Sequence, residues 1–107
     1  TTLFRSKPDV IVLEKIYAHY KHPITAILMG HARGITCLLA GIKQIPLVNY
    51  PASRIKKAVT GNGSASKRQV QTLVTDILKL KKAPEPVDVS DALAIAISYV
   101  YMEMMGR

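Results

Sequence analysis

The strongest constraint on the fold is Val10-Ile11-Val12-Leu13, an unbroken apolar run rich in β-branched side chains that ends on Glu14. A strand with one wet face alternates apolar and polar residues. A run without alternation suits a strand covered on both faces, as in a parallel sheet. Ile45 to Tyr50 reads as a second short strand, separated from the first by a helical stretch. Strand, helix, strand, then helices is an α/β order. Two strands make a poor sheet on their own, so the pattern predicts further strands before Thr1. The opening Thr1-Thr2-Leu3-Phe4 lacks an initiator Met, in keeping with a start inside an element or with a processed or trimmed chain.

Thr1 to Ser6 reads as the end of a helix stopped before Pro8. Lys15 to Pro23 reads as a polar, aromatic-rich loop. From Ile24 to Gly41 the period is helical: Ile24, Ile27, Leu28, His31, Ile35, Leu38 and Leu39 fall on one face. Gly30, Gly34, Cys37 and Gly41, with Ala26, form a second stripe. Glycines weaken a helix by up to ~1 kcal/mol each relative to alanine, so the stripe implies close backbone approach, either to the parent sheet or to a second copy. His31 on the apolar face is expected to be a hydrogen-bonded core histidine, and Cys37 a small buried hydrophobe.

Ala52 to Val59 suits a short basic helix, Gly61-Asn62-Gly63-Ser64 a loop, and Ser66 to Leu80 a helix with Val70, Leu73, Val74, Ile77 and Leu78 on one side. Lys79, Lys81 and Lys82 are expected at its C-terminus, where cations suit the dipole. Ala83 to Pro86 is a linker. The final helix is expected from Asp88 to Met105, its apolar front half deeply buried. With 107 residues the chain is read as a single domain.

Charge narrows the partners. Fifteen Lys plus Arg stand against seven Asp plus Glu, formally +8. Such an excess favours a polyanion, because each phosphate contact releases condensed counterions, while an acidic membrane surface or simple solubility also fits it. One cysteine excludes an internal disulfide and a cysteine-based zinc site. No signal peptide is visible, and the longest apolar run, Ala92 to Val100, is too short to span a bilayer. A cytoplasmic protein without a membrane partner is expected.

Three acids stand out by position. Glu14 ends the first strand; Asp88 and Asp91 open the last helix, three apart and on one face. Together such carboxylates suit a hard cation such as Mg²⁺. Asp88 and Asp91 also read as a capping pair, an acid at the N-cap and another at N3. Arg54, Lys56, Lys57, Lys67 and Arg68 gather around the glycine loop, where free N–H groups and cations suit a phosphate backbone or simply a solvated face. Lys15 to His22 mixes cations with Tyr17 and Tyr20, which suits stacking on unpaired bases or packing over a sheet edge. His19, His22 and His31 lack a metal-binding spacing.

Four segments in order, Pro8-Asp9-Val10-Ile11-Val12-Leu13-Glu14, Gly30-His31-Ala32-Arg33-Gly34, Gly61-Asn62-Gly63-Ser64-Ala65-Ser66-Lys67 and Asp88-Val89-Ser90-Asp91-Ala92-Leu93-Ala94-Ile95-Ala96, resemble the RuvC family of Holliday-junction resolvases. The resemblance runs from about Lys7 to Val100. It implies an RNase H-like α/β fold, incomplete because the N-terminal strands with the central catalytic strand are absent. It implies a DNA endonuclease with Glu14, Asp88 and Asp91 as metal-binding catalytic acids, two Mg²⁺ ions (or Mn²⁺), and Lys67 supporting the cleaved phosphate. Lys56 matches another basic functional position, and Tyr17 an aromatic that stacks near the crossover. The implied partners are four-way junction DNA, a second copy through the helix around Gly30 to Gly41, and the RuvA and RuvB branch-migration proteins. The family's first acid lies in a Gly-Ile-Asp-Pro-Gly-like motif that no segment here matches. This chain alone is therefore expected to be inactive, and the alternative is a non-catalytic branched-DNA-binding module on the same scaffold.

Overall fold

The computed structural model describes residues 7–15 and 22–105. The expected helix end at Thr1 to Ser6 and most of the aromatic loop, Tyr17 and His19 included, lie outside the described residues. The chain divides into two compact units, residues 1–49 and 50–107.

The first unit contains β1 (Ile11–Glu14), α1 (Pro23–Ile42) and most of β2 (Leu47–Tyr50). β1 and β2 pair as parallel neighbours, a pairing that requires a crossover, which α1 supplies. The Ile11 amide donates to the Pro46 carbonyl at 2.9 Å, just before β2 begins. Pro23 occupies the first turn of α1, where its fixed φ and missing N–H cost nothing. The helix closes on Gln44, whose positive φ of 56° lets the Ile45 amide reach back to the Ala40 carbonyl at 2.9 Å. Ile11 is buried, but Val12 and Leu13 are only half-buried, so β1 is less covered than its apolar run implies.

The departure from expectation is larger on α1. Its apolar face is open: Ile24 is 72% exposed and Leu38 63%, and Ala40 alone is buried. His31 and Cys37, both expected inside, are exposed. A Cβ built on Gly30, Gly34 or Gly41 meets nothing within 4 Å. The close approach that the glycine stripe implies is therefore not made by the described residues. Periodicity reports which face is apolar; it does not report what covers it. At 20 residues and mean hydropathy 1.4, α1 also has the length and composition of a membrane span, a property hidden from a search for unbroken apolar runs by its interspersed Gly, His and Arg.

The second unit is a trio of helices, α2 (Ala52–Thr60), α3 (Lys67–Ile77) and α4 (Val87–Tyr99), each packed on the other two. Ile55 and Val59 from α2, Val70 and Val74 from α3, and Ala94 and Ile97 from α4 meet in the core, with Ala65 from the connecting loop. The i, i+4 spacing on α2 and α3 puts each pair on one face. The small residues Ser90, Ala94 and Ser98 on α4 let the helices approach closely. Ser98 Oγ donates to the Ala94 carbonyl at 2.8 Å and lies 3.4 Å from the Ile55 carbonyl on α2.

Two boundaries and one burial pattern differ from the expectation. α3 stops at Ile77, because Lys79 adopts φ 55° and the Leu80 amide turns back to the Thr75 carbonyl at 2.9 Å, closing off free helix carbonyls. Lys79, Lys81 and Lys82 thus lie beyond the helix. α4 is buried on one face only, and Val87 and Val89 in its front half are exposed. It does not run as an α-helix to Met105: Val100–Met104 is a π-helical turn, in which the Met105 amide bonds the Val100 carbonyl at 2.9 Å.

Candidate metal and nucleic-acid site

Glu14 closes β1 with an exposed side chain. Its backbone carbonyl accepts a 3.0 Å hydrogen bond from Arg33 Nη1, so the middle of α1 anchors the strand end that carries the acid. Arg33 lies in the Gly30-His31-Ala32-Arg33-Gly34 segment, where nothing local marks it for this contact. Only the crossover brings it to a residue 19 positions away.

The start of α4 separates the two readings of Asp88 and Asp91. The N-cap is Pro86 and no side chain caps the helix. Asp88 is then the second helical residue and Asp91 the fifth, so the expected capping pair does not form. Asp88 sits in the first turn, where the helix dipole favours a negative charge. Among the described residues neither carboxylate has a hydrogen bond or an ion pair. Between them Ser90 is 1% exposed, and its Oγ is buried without a partner among the described residues. Two unengaged carboxylates on one helix face are hard oxygen donors of the kind Mg²⁺ takes. They do not make a complete site: no group of three His, Cys, Asp or Glu side chains comes together among the described residues. Glu14 belongs to the first unit, and Asp88 and Asp91 to the second.

The basic residues flank a loop closed by its own hydrogen bonds. Gly61 ends α2 in the left-handed region at φ 85°, where a side chain would be strained. The chain then folds back so that Gly63 lies against Ser53; a Cβ on Gly63 would stand 3.3 Å from the Ser53 carbonyl oxygen. Thr60 Oγ1 donates to the Lys56 carbonyl at 2.7 Å and accepts from the Asn62 amide at 3.1 Å. Asn62 Oδ1 accepts from the Ser64 amide at 2.9 Å. A capping box opens α3: Ser66 Oγ accepts from the Gln69 amide at 3.1 Å and Gln69 Oε1 from the Ser66 amide at 2.7 Å. These bonds consume several N–H groups expected to be free for phosphate. Lys67 and Arg68 nevertheless stand exposed in the first turn, where no acid offsets them. Lys57 and Arg54 are exposed on α2, and Lys56 is half-buried.

Tyr50, Met102 and Glu103 were not singled out by sequence. Tyr50 is 2% exposed and donates its hydroxyl to Glu103 Oε1 at 3.0 Å. Burial, then the bond to the Glu103 carboxylate, push the phenol above its ordinary value; the nearby Arg54 charge pulls the other way. Met-Glu-Met at the end of an apolar helix carries no sequence signal for this contact, because the π-turn decides which way Glu103 faces.

The family model of the crossover junction endodeoxyribonuclease RuvC matches residues 1–99. A protein of that name from Rhodopirellula baltica is 48% identical over 94 residues, covering 88% of this chain and 53% of its own length. Its namesake from Pseudothermotoga lettingae is 48% identical over 90 residues, covering 84% and 55%. The chain thus spans about half the length of the curated relatives it matches. Among solved structures, Thermus thermophilus RuvC superposes with a TM-score of 0.81 at 32% identity, covering 98% of this chain and 63% of that one. T. thermophilus RuvC in complex with a Holliday junction substrate gives 0.83 at 31%, with the same coverage. The strand pair, its crossover helix and the helices that follow are accordingly part of an RNase H-like α/β fold, and the chain belongs to the RuvC family of crossover junction endodeoxyribonucleases.

Proposed function

We propose that the complete protein is a structure-selective endonuclease that resolves Holliday junctions in recombination and repair. The observation that carries this reading is the start of α4: Asp88 and Asp91 share one face, and neither is spent on capping or ion pairing among the described residues. That arrangement sits in a chain whose family match extends over residues 1–99. Both units are read as parts of one RNase H-like domain.

Glu14, Asp88 and Asp91 are the residues that would hold two Mg²⁺ ions, or Mn²⁺ in their place, together with a further carboxylate for which these 107 residues offer no match. When bound, the ions would supply Lewis-acid stabilisation of the attacking and leaving oxygens. Arg33 keeps the end of β1, and with it Glu14, in place. Lys67 offers a cation to the phosphate being cut. Arg54, Lys56, Lys57 and Arg68 hold the backbone of the DNA arms. Tyr17 stacks near the crossover. The exposed apolar face of α1 is the contact with a second copy, which sets two sites on one four-way junction for paired nicks. Arg33 near the middle of that helix argues for a protein neighbour over a lipid one, since a charge at mid-bilayer is costly. RuvA and RuvB are the expected partners in branch migration, and the cytoplasm the expected compartment.

The test is Asp91→Asn in the full-length protein, with a labelled four-way junction and Mg²⁺. Cleavage is expected to fall below detection while junction affinity stays within about twofold, because the change removes a charge without altering shape. Normal cutting would remove Asp91 from the site. The competing reading is a module that binds branched DNA without cutting, which the exposed cations Arg54, Lys57, Lys67 and Arg68 would serve equally. It predicts saturable binding and no cleavage by the unmutated full-length protein.

A further inference from the structure

Arg54 is held in an unusual way for a surface arginine. Its guanidinium carbon lies 5.4 Å from the centroid of the Tyr50 ring, within range of a cation–π contact. Its Nη2 donates to the Met102 sulfur at 3.3 Å. The ring beneath it is fixed in turn, because Tyr50 is buried and its hydroxyl is tied to Glu103. Met102 and Glu103 both come from the π-helical turn Val100–Met104. Such turns are rare and recur at functional positions.

The arrangement holds the arginine without neutralising it. A structural arginine is ordinarily paired with a carboxylate. Here the carboxylate nearest in the network, Glu103, is bonded to the tyrosine, and among the described residues Arg54 receives only a ring face and a thioether, both weak acceptors. Five donors on one guanidinium exceed what these two partners use. Lys57 follows three residues later on the same face of α2 and is also exposed. Two like charges three apart on a helix repel, which an external anion would relieve.

We propose that the π-turn is a positioning device for Arg54: Glu103 fixes the Tyr50 ring, and ring and Met102 sulfur together hold the guanidinium ready for a DNA phosphate. The proposal rests on the junction-binding reading above. A free arginine side chain loses rotamer freedom on binding; one already held loses less. Glu103 and Met102 are positioning residues, acting through Arg54 and not touching DNA.

The sign of one substitution decides the matter. Were Glu103 merely a negative charge near the DNA, removing it would tighten binding. If it positions Arg54, removing it loosens binding. The measurement is the affinity of the full-length protein for a labelled four-way junction, without divalent metal, over a series of salt concentrations. Glu103→Ala is expected to weaken binding about threefold and to lower the salt slope by up to about one, as Arg54→Ala does. In an Arg54→Ala background the Glu103 change should have no further effect. Glu103→Gln, which keeps an acceptor for the tyrosine hydroxyl, should restore most of the affinity. Tighter or unchanged binding by Glu103→Ala, or additive losses in the double variant, would overturn the proposal. Should Glu103→Ala not fold, Met102→Leu removes the sulfur acceptor without changing charge, and binding unchanged by it would overturn the proposal. Failure of the unmutated protein to bind any junction would overturn the functional reading itself, and this inference with it; binding that is indifferent to Arg54→Ala would overturn the inference alone.

Discussion

α1 and α4 are both apolar helices, yet they end up in opposite circumstances. α4 buries Ser90, Ala94, Ile97 and Ser98 against two neighbouring helices, and α1 buries Ala40 alone. Composition does not explain the difference, since α1 carries the larger aliphatic side chains. Neighbours do. α4 lies close in sequence to α2 and α3, which are short, amphipathic and joined by tight loops, so its partners are local. α1 gathers its large apolar residues on one face, and the described residues leave most of that face open. An apolar helix is therefore a statement about demand for burial, which a chain can meet internally or through another surface.

The contrast can be broken most severely at Ala94. A carboxylate placed there by Ala94→Glu enters the middle of the helix trio unpaired and should cost ~3 kcal/mol or more. Chemical denaturation of the full-length protein is expected to show an early unfolding transition of that region. Retention of the wild-type midpoint would mean that the trio is not the packed core described. The matching change on α1, Ile35→Glu with Leu38→Glu, should leave the trio intact, since both side chains are exposed. What it should remove is self-association, with dimer affinity falling about a hundredfold or more in sedimentation. A dimer undisturbed by two charges would place the contact elsewhere.

Smaller effects sharpen the picture inside the second unit. Ser66→Ala deletes one half of the capping box and should cost ~1 kcal/mol of stability, read as a lower denaturation midpoint. The smallest expected effect belongs to Tyr50→Phe. The folded state holds the phenol proton more tightly than the unfolded chain does, so the tyrosine stabilises the fold below its ordinary pKa of 10.0. That stability is lost as pH rises from there through the raised folded value. Melting curves of the wild type should therefore weaken above pH 10, and those of the phenylalanine variant should weaken less. Equal slopes would show that the buried hydroxyl does not titrate with folding.

Where the candidate site residues fall along the chain was legible, because that placement is local. Glu14 at the end of an apolar run, the acids at the head of the last helix and the cations around Gly61 to Ser66 depend on spacing along one element. The choice between a capping pair and a pair of free carboxylates was not legible. It turned on Pro86 taking the N-cap and shifting Asp88 and Asp91 along the helix. Arg33 and Glu103 were missed for a related reason: their partners, Glu14 and Tyr50, lie 19 and 53 residues away, and no local pattern encodes such a meeting.

By itself the sequence determined the α/β order, the positions of both strands, the apolar face of α3 and the cations that flank the loop between α2 and α3. Each of these follows from side-chain period, turn chemistry or charge, which act over a few residues. Tertiary structure alone decided that His31 and Cys37 are exposed, that α3 ends before its lysines, that the last helix widens into a π-turn and that Arg54 rests on Tyr50. Those outcomes depend on which surfaces meet, and burial is a property of the pair of surfaces, not of either one.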